Sequence, residues 1–307
     1  MGKKDTFFSS FIKYRTFLLM LLPALIYIVV FAYLPMGGII MAFKKYNYAG
    51  GIFNSPWNGF RNFEFFFNSG KALLVTKNTV LYNLLFITVN TVLQMAIAIL
   101  LAEMTNEYFR KISQSIMFLP YFISWVIVSV IAFNMLSYDF GFINSIIESL
   151  GGEKTNFYAE SKLWPAILTL FGAWKGAGYG SVMYLAAIMG IDPSLYEAAT
   201  IDGAHAFQRI FRITIPLMMP TVVILLLLAV GGIFRSNFDM FYNLVGNNGL
   251  LHNATDVIDT FTFRALITNN DFGMSAAAGL YQSVLCFVTV LLANKAVKWY
   301  DGDYSLF

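Results

Sequence analysis

Residues 79–102 read TVLYNLLFITVNTVLQMAIAILLA, a stretch of 24 residues without aspartate, glutamate, lysine or arginine. A helix needs about 20 apolar residues to cross the hydrocarbon core of a membrane, so this stretch predicts a transmembrane helix. Five further windows have the same character, and one of them is interrupted by a single charge, Lys175. The six predicted spans are 17–34, 79–102, 115–136, 164–189, 217–234 and 274–294.

The composition of the whole chain agrees with a membrane protein. Of the 307 residues, 58% are hydrophobic and 12% are charged, whereas about 25% are charged in an average soluble domain. The net charge of +3 comes without a basic stripe, which argues against a nucleic-acid partner. The lone Cys286 excludes an internal disulfide and a cysteine-based metal site. We therefore predict an all-α, polytopic membrane protein in a lipid bilayer, with no bound metal.

The topology follows from the number of spans and from the basic residues. An even number of spans places both termini on one side, and the positive-inside rule decides which side that is. Basic residues, among them Lys3 and Lys4, are denser in the segments that lie inside when both termini are cytoplasmic. We therefore expect a multi-pass protein of the cell membrane with cytoplasmic termini. The external segments, with irregular chain or short interfacial helices, are then 35–78, 137–163 and 235–273, and the cytoplasmic loops are 103–114 and 190–216.

The predicted cytoplasmic segment 190–216 reads GIDPSLYEAATIDGAHAFQRIFRITIP. Asp192 before Pro193 is typical of a helix start, and Gly203 supplies the left-handed residue that ends a helix. A second amphipathic helix is expected from about Ala204, and Pro216 is expected to end it before the fifth span. Two short helices tied to spans on both sides would form a rigid lever for a cytoplasmic partner. The alternative is a loop that merely connects two spans.

The same segment resembles the EAA motif of permease subunits in binding-protein-dependent ABC importers. That motif is Glu-Ala-Ala, three residues, glycine, nine residues, isoleucine, one residue, leucine and proline. Ile215 stands where leucine is usual, a volume-conserving change. Residues 72–297 are similar to the carbohydrate-uptake, maltose-type branch, and most of all to LplB-like permeases, as is the ending 304–307. The motif positions are Glu197, Ala198, Ala199, Asp202, Gly203, Ala204, Ile213 and Pro216.

This resemblance implies a type I permease fold and one half of a transporter. A second, different permease subunit would complete the pathway, two cytoplasmic ABC ATPase subunits would bind the EAA elements, and an external binding protein would deliver the sugar. Glu197 would contact a basic residue of the ATPase, and Gly203 would provide the turn. Ala198 and Ala199 would permit close approach. The implied divisions are 1–71 with the first span, the permease core 72–297, and a cytoplasmic tail 298–307.

The energy source is expected on a partner subunit. The chain contains no Gly-x-x-x-x-Gly-Lys-Ser/Thr phosphate-binding loop. ATP and Mg²⁺ would therefore bind to the ATPase, and this chain is expected to hold no cofactor and no catalytic residue.

Polar and aromatic residues inside the spans are candidates for the transport pathway. Asn83, Asn90 and Gln94 share one face of the second span and suit sugar hydroxyls, and interhelical hydrogen bonding is the alternative. Lys175 would attract an acidic sugar, or instead pair with the second permease or extend its charge to the interface. Aromatic rings would stack on sugars or simply pack. The remaining candidates are Tyr121, Trp125, Trp174, Tyr179, Tyr184, Tyr281 and Gln282.

The sequence therefore predicts a permease subunit of an ATP-driven importer that moves an oligosaccharide, acidic or polysaccharide-derived, inward by alternating access. An ABC permease for a peptide or an amino acid is the nearest alternative, and only the resemblance disfavours it. A secondary carrier would need an acidic residue inside a span for ion coupling. A membrane enzyme would need clustered His, Asp or Glu at the membrane face, and the sequence has neither feature.

Overall fold

A computed structural model describes residues 13–300 of the chain. Within that range every regular element is a helix, which confirms the predicted all-α fold. Lys3, Lys4 and the ending 304–307, which contributed to the predicted topology and to the resemblance, lie outside the described residues.

The helices are numbered in chain order. They are α1 Arg15–Ile28, α2 Gly51–Asn54, α3 Arg61–Asn68, α4 Lys71–Ala102, α5 Glu107–Phe122, α6 Trp125–Leu136, α7 Phe142–Ser149, α8 Trp164–Met189, α9 Pro193–Ile201, α10 Ala206–Arg209, α11 Ile215–Gly231, α12 Phe238–Val245, α13 His252–Thr255, α14 Ile258–Ile267 and α15 Phe272–Tyr300. A π turn, Val29–Tyr33, joins α1 to the 3₁₀ helix Leu34–Phe43, a second π turn, Ile210–Thr214, joins α10 to α11, and the 3₁₀ turn Ser161–Leu163 precedes α8.

Over residues 13–300, four helical stretches are long and apolar enough to cross a membrane, and they coincide with the first, second, fifth and sixth predicted spans. The third predicted span is a helix pair, α5 and α6, and counting this pair as one span brings the number to five. The fourth, α8, has 26 residues, and a helix of that length reaches about 39 Å. Lys175 and several glycines make α8 less apolar, so its crossing of the membrane stays a prediction. The four stretches are Arg15–Phe43, Lys71–Ala102, Ala206–Gly231 and Phe272–Trp299.

The third predicted span is bent by 93° between α5 and α6, which corrects the expectation of one straight helix over 115–136. Pro120 lies in the last turn of α5, and the next helix begins after Ser124. The Ser124 hydroxyl caps that helix by accepting the backbone N–H of Ile127 at 3.4 Å. Pro120 weakens the end of α5, and the Ser124 cap starts α6. These two local signals break the helix, although the apolar composition continues across the bend.

Helical structure extends beyond the first predicted span to Phe43, and α4 begins at Lys71, before the second predicted span. The bounds 35–78 of the first external segment stay a prediction. The two later external segments, 137–163 and 235–273, contact each other, because Asn248 Nδ2 donates to the Tyr158 carbonyl oxygen at 2.7 Å. This contact is consistent with the predicted topology, which places both segments on the same side of the membrane. The short helices α2, α3, α7 and α12 to α14 lie in the predicted external segments, and their position at the membrane interface stays a prediction.

Close helix packing occurs where α8 carries glycine. A Cβ atom on Gly180 would lie 2.2 Å from the Gln94 side chain of α4, and one on Gly178 would lie 2.0 Å from the carbonyl oxygen of Met117 in α5. The Gly178 contact is with backbone, so a larger residue there would require movement of the helices, whereas a larger residue at position 180 would displace the Gln94 side chain. α11 packs against α4 and α8 in a buried apolar cluster that includes Met218. Three helices, α4, α8 and α11, therefore form the centre of the fold.

The first helix lies apart from this centre. α1 buries none of its side chains, and the chain returns to the body through the 3₁₀ helix Leu34–Phe43, which packs against α15. The apolar surface of α1 is therefore available to lipid or to another subunit.

Candidate functional site

Segment 190–216 begins with a capped helix. The Asp192 carboxylate accepts the backbone N–H of Ser194 at 2.9 Å, and this hydrogen bond lowers the pKa of Asp192. α9 ends at Ile201, and Gly203 follows with φ at +79°, a conformation that glycine adopts without strain. The start and the stop of this helix both lie where the sequence predicts them.

The second half of the segment differs from the prediction, because Pro216 does not end the helix. α10, the π turn Ile210–Thr214 and α11 form one continuous helix from Ala206 to Gly231. Proline lacks an N–H group and clashes with the carbonyl of a regular α-helical turn before it. Pro216 is the second residue of α11, and the π turn, which includes Ile213, comes immediately before that helix. The backbone hydrogen bonds of a π turn differ from those of a regular α-helix, and this difference accommodates the proline. The segment is therefore mechanically continuous with the predicted fifth span.

The outward surface of α9 is open. Glu197 and Ala198 are exposed, Ala199 is half-buried, and within residues 13–300 the Glu197 carboxylate has no ion pair or hydrogen bond. Ile201 is 87% exposed, next to the turn that contains Asp202, Gly203 and Ala204. The exposed apolar side chains and the unpaired carboxylate leave this surface available to a partner protein.

The opposite side of α9 is tied to the helix that follows it. The Tyr196 hydroxyl lies 3.0 Å from the Thr214 hydroxyl, within hydrogen-bond distance. Thr214 is buried in the second π turn. α9 is therefore held against the continuous helix, and only three residues separate it from the end of α8.

A groove of about 440 Å³ lies between α4, α8 and α11, and we call it the membrane groove. Its lining includes four of the predicted pathway residues, Asn90, Gln94, Tyr179 and Tyr184. Gln94 Nε2 donates to the Gly176 carbonyl oxygen at 3.4 Å, whereas the buried Asn90 Oδ1 has no hydrogen-bond partner. A buried acceptor without a partner is unfavourable unless a ligand or water satisfies it.

Three predicted pathway residues lie elsewhere and join elements of the protein. Asn83 Nδ2 donates to the Ile233 carbonyl oxygen at 2.9 Å, which is the interhelical alternative for this residue. The Tyr281 hydroxyl lies 3.1 Å from the Thr76 hydroxyl. Gln282 Nε2 donates to the carbonyl oxygen of Phe234 at 2.7 Å and to the Asp259 carboxylate at 3.0 Å. The polar face of the second span therefore divides into a structural part, Asn83, and a groove part.

The Lys175 ammonium is buried at the bend between α5 and α6. It donates to the carbonyl oxygens of Pro120 and Tyr121, at 3.3 and 2.5 Å. It also lies over the rings of Tyr121 and Trp125, 5.3 and 5.5 Å from their centroids. Both carbonyls lie in the last turn of α5, where the Pro120 oxygen also accepts the backbone N–H of Ile123 at 3.2 Å. The placement favours a structural role for Lys175 over the acidic-sugar hypothesis.

The other aromatic candidates differ in their surroundings. Tyr121 and Tyr179 stack at 4.0 Å between ring centroids, with an interplanar angle of 5°, and both remain substantially exposed. Tyr184 is buried in the apolar cluster at the ends of α4 and α8. Trp174 is 42% exposed. The stacked tyrosines therefore offer the larger aromatic surface beside the groove.

The sequence interpretation missed an ion-pair network in the predicted external segment 235–273. Arg264 donates to the buried Asp256 carboxylate, and its second terminal nitrogen lies 3.4 Å from His252 Nε2. Thr260 donates to the other Asp256 oxygen at 2.8 Å. Burial and the Arg264 guanidinium lower the pKa of His252. The spacing of four between Asp256, Thr260 and Arg264 was the signal that could have indicated this network.

The chain has close relatives among proteins of known class. Residues 94–300 match the family described as binding-protein-dependent transport system inner membrane component. The chain is 33% identical over 301 residues to the polygalacturonan/rhamnogalacturonan transport system permease protein YteP of Bacillus subtilis, covering 98% of this chain and 93% of that protein. It is 32% identical over 302 residues to the protein LplB of Bacillus subtilis, covering 98% and 94%. The predicted similarity to LplB-like permeases is confirmed.

Two solved structures share the fold. One is a bacterial ABC transporter involved in the import of the acidic polysaccharide alginate, with a TM-score of 0.87, 32% identity, and coverage of 96% of this chain and 99% of that chain. The other is a bacterial alginate ABC transporter in complex with an alginate pentasaccharide-bound periplasmic protein, with a TM-score of 0.85, 32% identity, and coverage of 94% and 96%. The predicted ABC importer permease fold is confirmed.

The position of Lys175 generates a test of stability. Lys175→Met keeps most of the side-chain volume but removes the ammonium donor from the Tyr121 carbonyl, while the Pro120 carbonyl keeps the Ile123 N–H, at a cost of about 1–3 kcal/mol. We expect the melting temperature of the purified protein in detergent to fall by about 2 °C or more. Lys77→Met is the matched control, because Lys77 is an exposed lysine of α4. This variant should leave the melting temperature unchanged. Equal melting temperatures for both variants would contradict the structural role.

Proposed function

The chain belongs to the family of inner membrane components of binding-protein-dependent transport systems, and we propose that it is the sugar permease subunit of an ATP-driven ABC importer. It moves an oligosaccharide into the cell by alternating access and catalyses no covalent reaction itself. The observation that carries the proposal is the free Glu197 on a segment continuous with the helices around the membrane groove. A force applied to that segment would reach α8 and α11 through the chain itself.

The proposed partners are a second permease subunit, two ATPase subunits and an external binding protein. The related alginate transporter was solved in complex with a periplasmic protein that carries an alginate pentasaccharide, which supports a binding protein here. The exposed apolar surface of α1 is suited to a second membrane subunit. ATP and Mg²⁺ would bind to the ATPase subunits, because this chain lacks a phosphate-binding loop.

The proposed orientation places segment 190–216 and both termini in the cytoplasm. Arg209 forms an ion pair with Glu103, so this segment and the chain after α4 lie on the same side of the protein. The two predicted cytoplasmic loops contain Arg110, Lys111, Arg209 and Arg212, and a bias of basic residues towards the cytoplasm supports this orientation.

The proposed substrate is an oligosaccharide released from a polysaccharide. Two relatives are named for polygalacturonan/rhamnogalacturonan and for alginate. The membrane groove carries no charged residue in its lining and presents amides and tyrosines. Amides donate to and accept from hydroxyl groups, and tyrosine rings pack against the apolar faces of sugars. This chemistry recognises hydroxyl-rich chains, and the unpartnered Asn90 Oδ1 is the acceptor most in need of such a donor.

The contact with the ATPase is tested by charge reversal. Glu197→Lys removes the acidic contact and places an ammonium group towards the expected basic residue of the ATPase, so we expect uptake and ATPase co-purification to be lost. Membrane insertion should be unaffected, because Glu197 is exposed. Glu107→Lys is the matched control, since Glu107 is an exposed glutamate in the other predicted cytoplasmic loop. Normal ATPase capture by Glu197→Lys would contradict the proposal.

The membrane groove is tested by removing one amide. Asn90→Leu conserves volume but removes the acceptor, and we expect KM for uptake to rise by about tenfold, the effect of losing one hydrogen bond worth about 1.4 kcal/mol. Uptake is measured with oligosaccharides prepared from polygalacturonan and from alginate. Asn134→Leu is the control, because the Asn134 amide bonds only within α6, to the Val130 carbonyl. An unchanged KM in Asn90→Leu would remove Asn90 from the pathway.

A further inference from the structure

The three walls of the membrane groove are connected differently to segment 190–216, which we call the coupling segment. α8 leads into this segment through residues 190–192, and α11 continues it without a break. α4, which contributes Asn90 and Gln94 to the groove, has no such covalent connection. A displacement of the coupling segment therefore reaches two walls through the chain, and the third wall requires a noncovalent link.

An ion pair provides such a link. Arg209 Nη2 lies 3.4 Å from Glu103 Oε2, and the two side chains are 25% and 32% exposed. The other terminal nitrogen of Arg209 donates to the Thr200 hydroxyl of α9 at 3.3 Å. Thr200 in turn donates to the Tyr196 carbonyl oxygen at 2.7 Å. One guanidinium group therefore joins α9, the start of the continuous helix and the end of α4.

Both partners are held by regular backbone structure. The Glu103 N–H donates to the Ile99 carbonyl oxygen at 3.0 Å, so this residue continues the last turn of α4. Arg209 is the last residue of α10, inside the continuous helix. A displacement of either backbone is therefore transmitted to the ion pair without being absorbed by a flexible loop.

Apolar packing also joins α4 to α8 and α11, in the buried cluster that includes Ala98 and Met218. Such packing resists separation but has no preferred direction. A charge-assisted hydrogen bond has a defined geometry and opposes sliding along the helix axis. The ion pair therefore adds a directional restraint that the apolar cluster does not supply.

The pairing of Arg209 also leaves Glu197 free. Glu103, Glu197 and Arg209 all line a groove of about 660 Å³ between α9 and the end of α4. Arg209 contacts Glu103, whereas Glu197 has no partner within residues 13–300. The acidic group expected to meet the ATPase is thus not neutralised by this chain.

From these contacts we propose that the Glu103–Arg209 ion pair is a tether through which the coupling segment moves α4, so that all three walls of the membrane groove respond to the ATPase. Glu103 and Arg209 are positioning residues in this proposal, and they contact neither sugar nor nucleotide. The proposal rests on the proposed function, since it requires an ATPase at the coupling segment.

The test is a charge exchange in the complete complex, in membrane vesicles supplied with binding protein and with oligosaccharides from polygalacturonan and alginate. Uptake is normalised to the ATPase that co-purifies, which removes effects on folding and assembly. Glu103→Arg, the milder Glu103→Gln, and Arg209→Glu should each lower normalised uptake by about tenfold, within the range of typical coupling energies. Each single variant should retain ATPase capture. The double variant Glu103→Arg with Arg209→Glu should recover uptake to within about threefold of wild type.

The matched control is the Glu107–Lys111 pair, at 3.7 Å within α5 alone. This pair joins no separate elements, so Glu107→Lys with Lys111→Glu, and each single change, should leave uptake unchanged. Wild-type uptake in the Glu103 single variants, or a double variant no better than the single ones, would overturn the tether and leave the proposed function intact. A wild-type chain that captures no ATPase and moves neither sugar would overturn both.

Discussion

The structure depends on the need of a membrane-buried backbone to satisfy its own hydrogen bonds, which only uninterrupted helices or their caps achieve. The helix from Ala206 to Gly231 obeys this constraint despite Pro216, because a π turn accommodates the proline. α9, which carries Glu197, is a separate helix held against this one by the hydrogen bond between the Tyr196 and Thr214 hydroxyls. A partner that binds this segment at the membrane surface and moves it would therefore also move the helices around the membrane groove.

Much of the fold could be predicted from the sequence. Charge-free windows located the helices, and Asp192 and Gly203 marked the ends of α9, since both signals arise from local backbone chemistry. The bend after Pro120 and the continuation through Pro216 could not be judged locally. Two prolines with similar sequence surroundings had opposite outcomes, because a serine cap follows the first and a π turn precedes the second.

The candidate site was less predictable, because side-chain partners lie far apart in the sequence. Asn83 and Asn90 share one helical face, yet Asn83 bonds to the carbonyl of Ile233 whereas the acceptor of Asn90 is left unpaired. Lys175 finds its partners 54 and 55 residues earlier in the chain, at the end of a helix that bends there. The residue types identify the polar groups within the predicted spans, but only tertiary packing separates structural hydrogen bonds from groups available to a ligand.

The central claim, that an ATPase binds the coupling segment in the cytoplasm, is tested most directly by accessibility. Ser194, exposed at the start of α9, is replaced by cysteine in a Cys286→Ser background, and the single thiol is labelled with a membrane-impermeant maleimide. The account predicts no labelling in intact cells, labelling in inverted vesicles stripped of peripheral proteins, and protection when the ATPase subunits are added back. Labelling in intact cells, or labelling that the ATPase does not reduce, would contradict it.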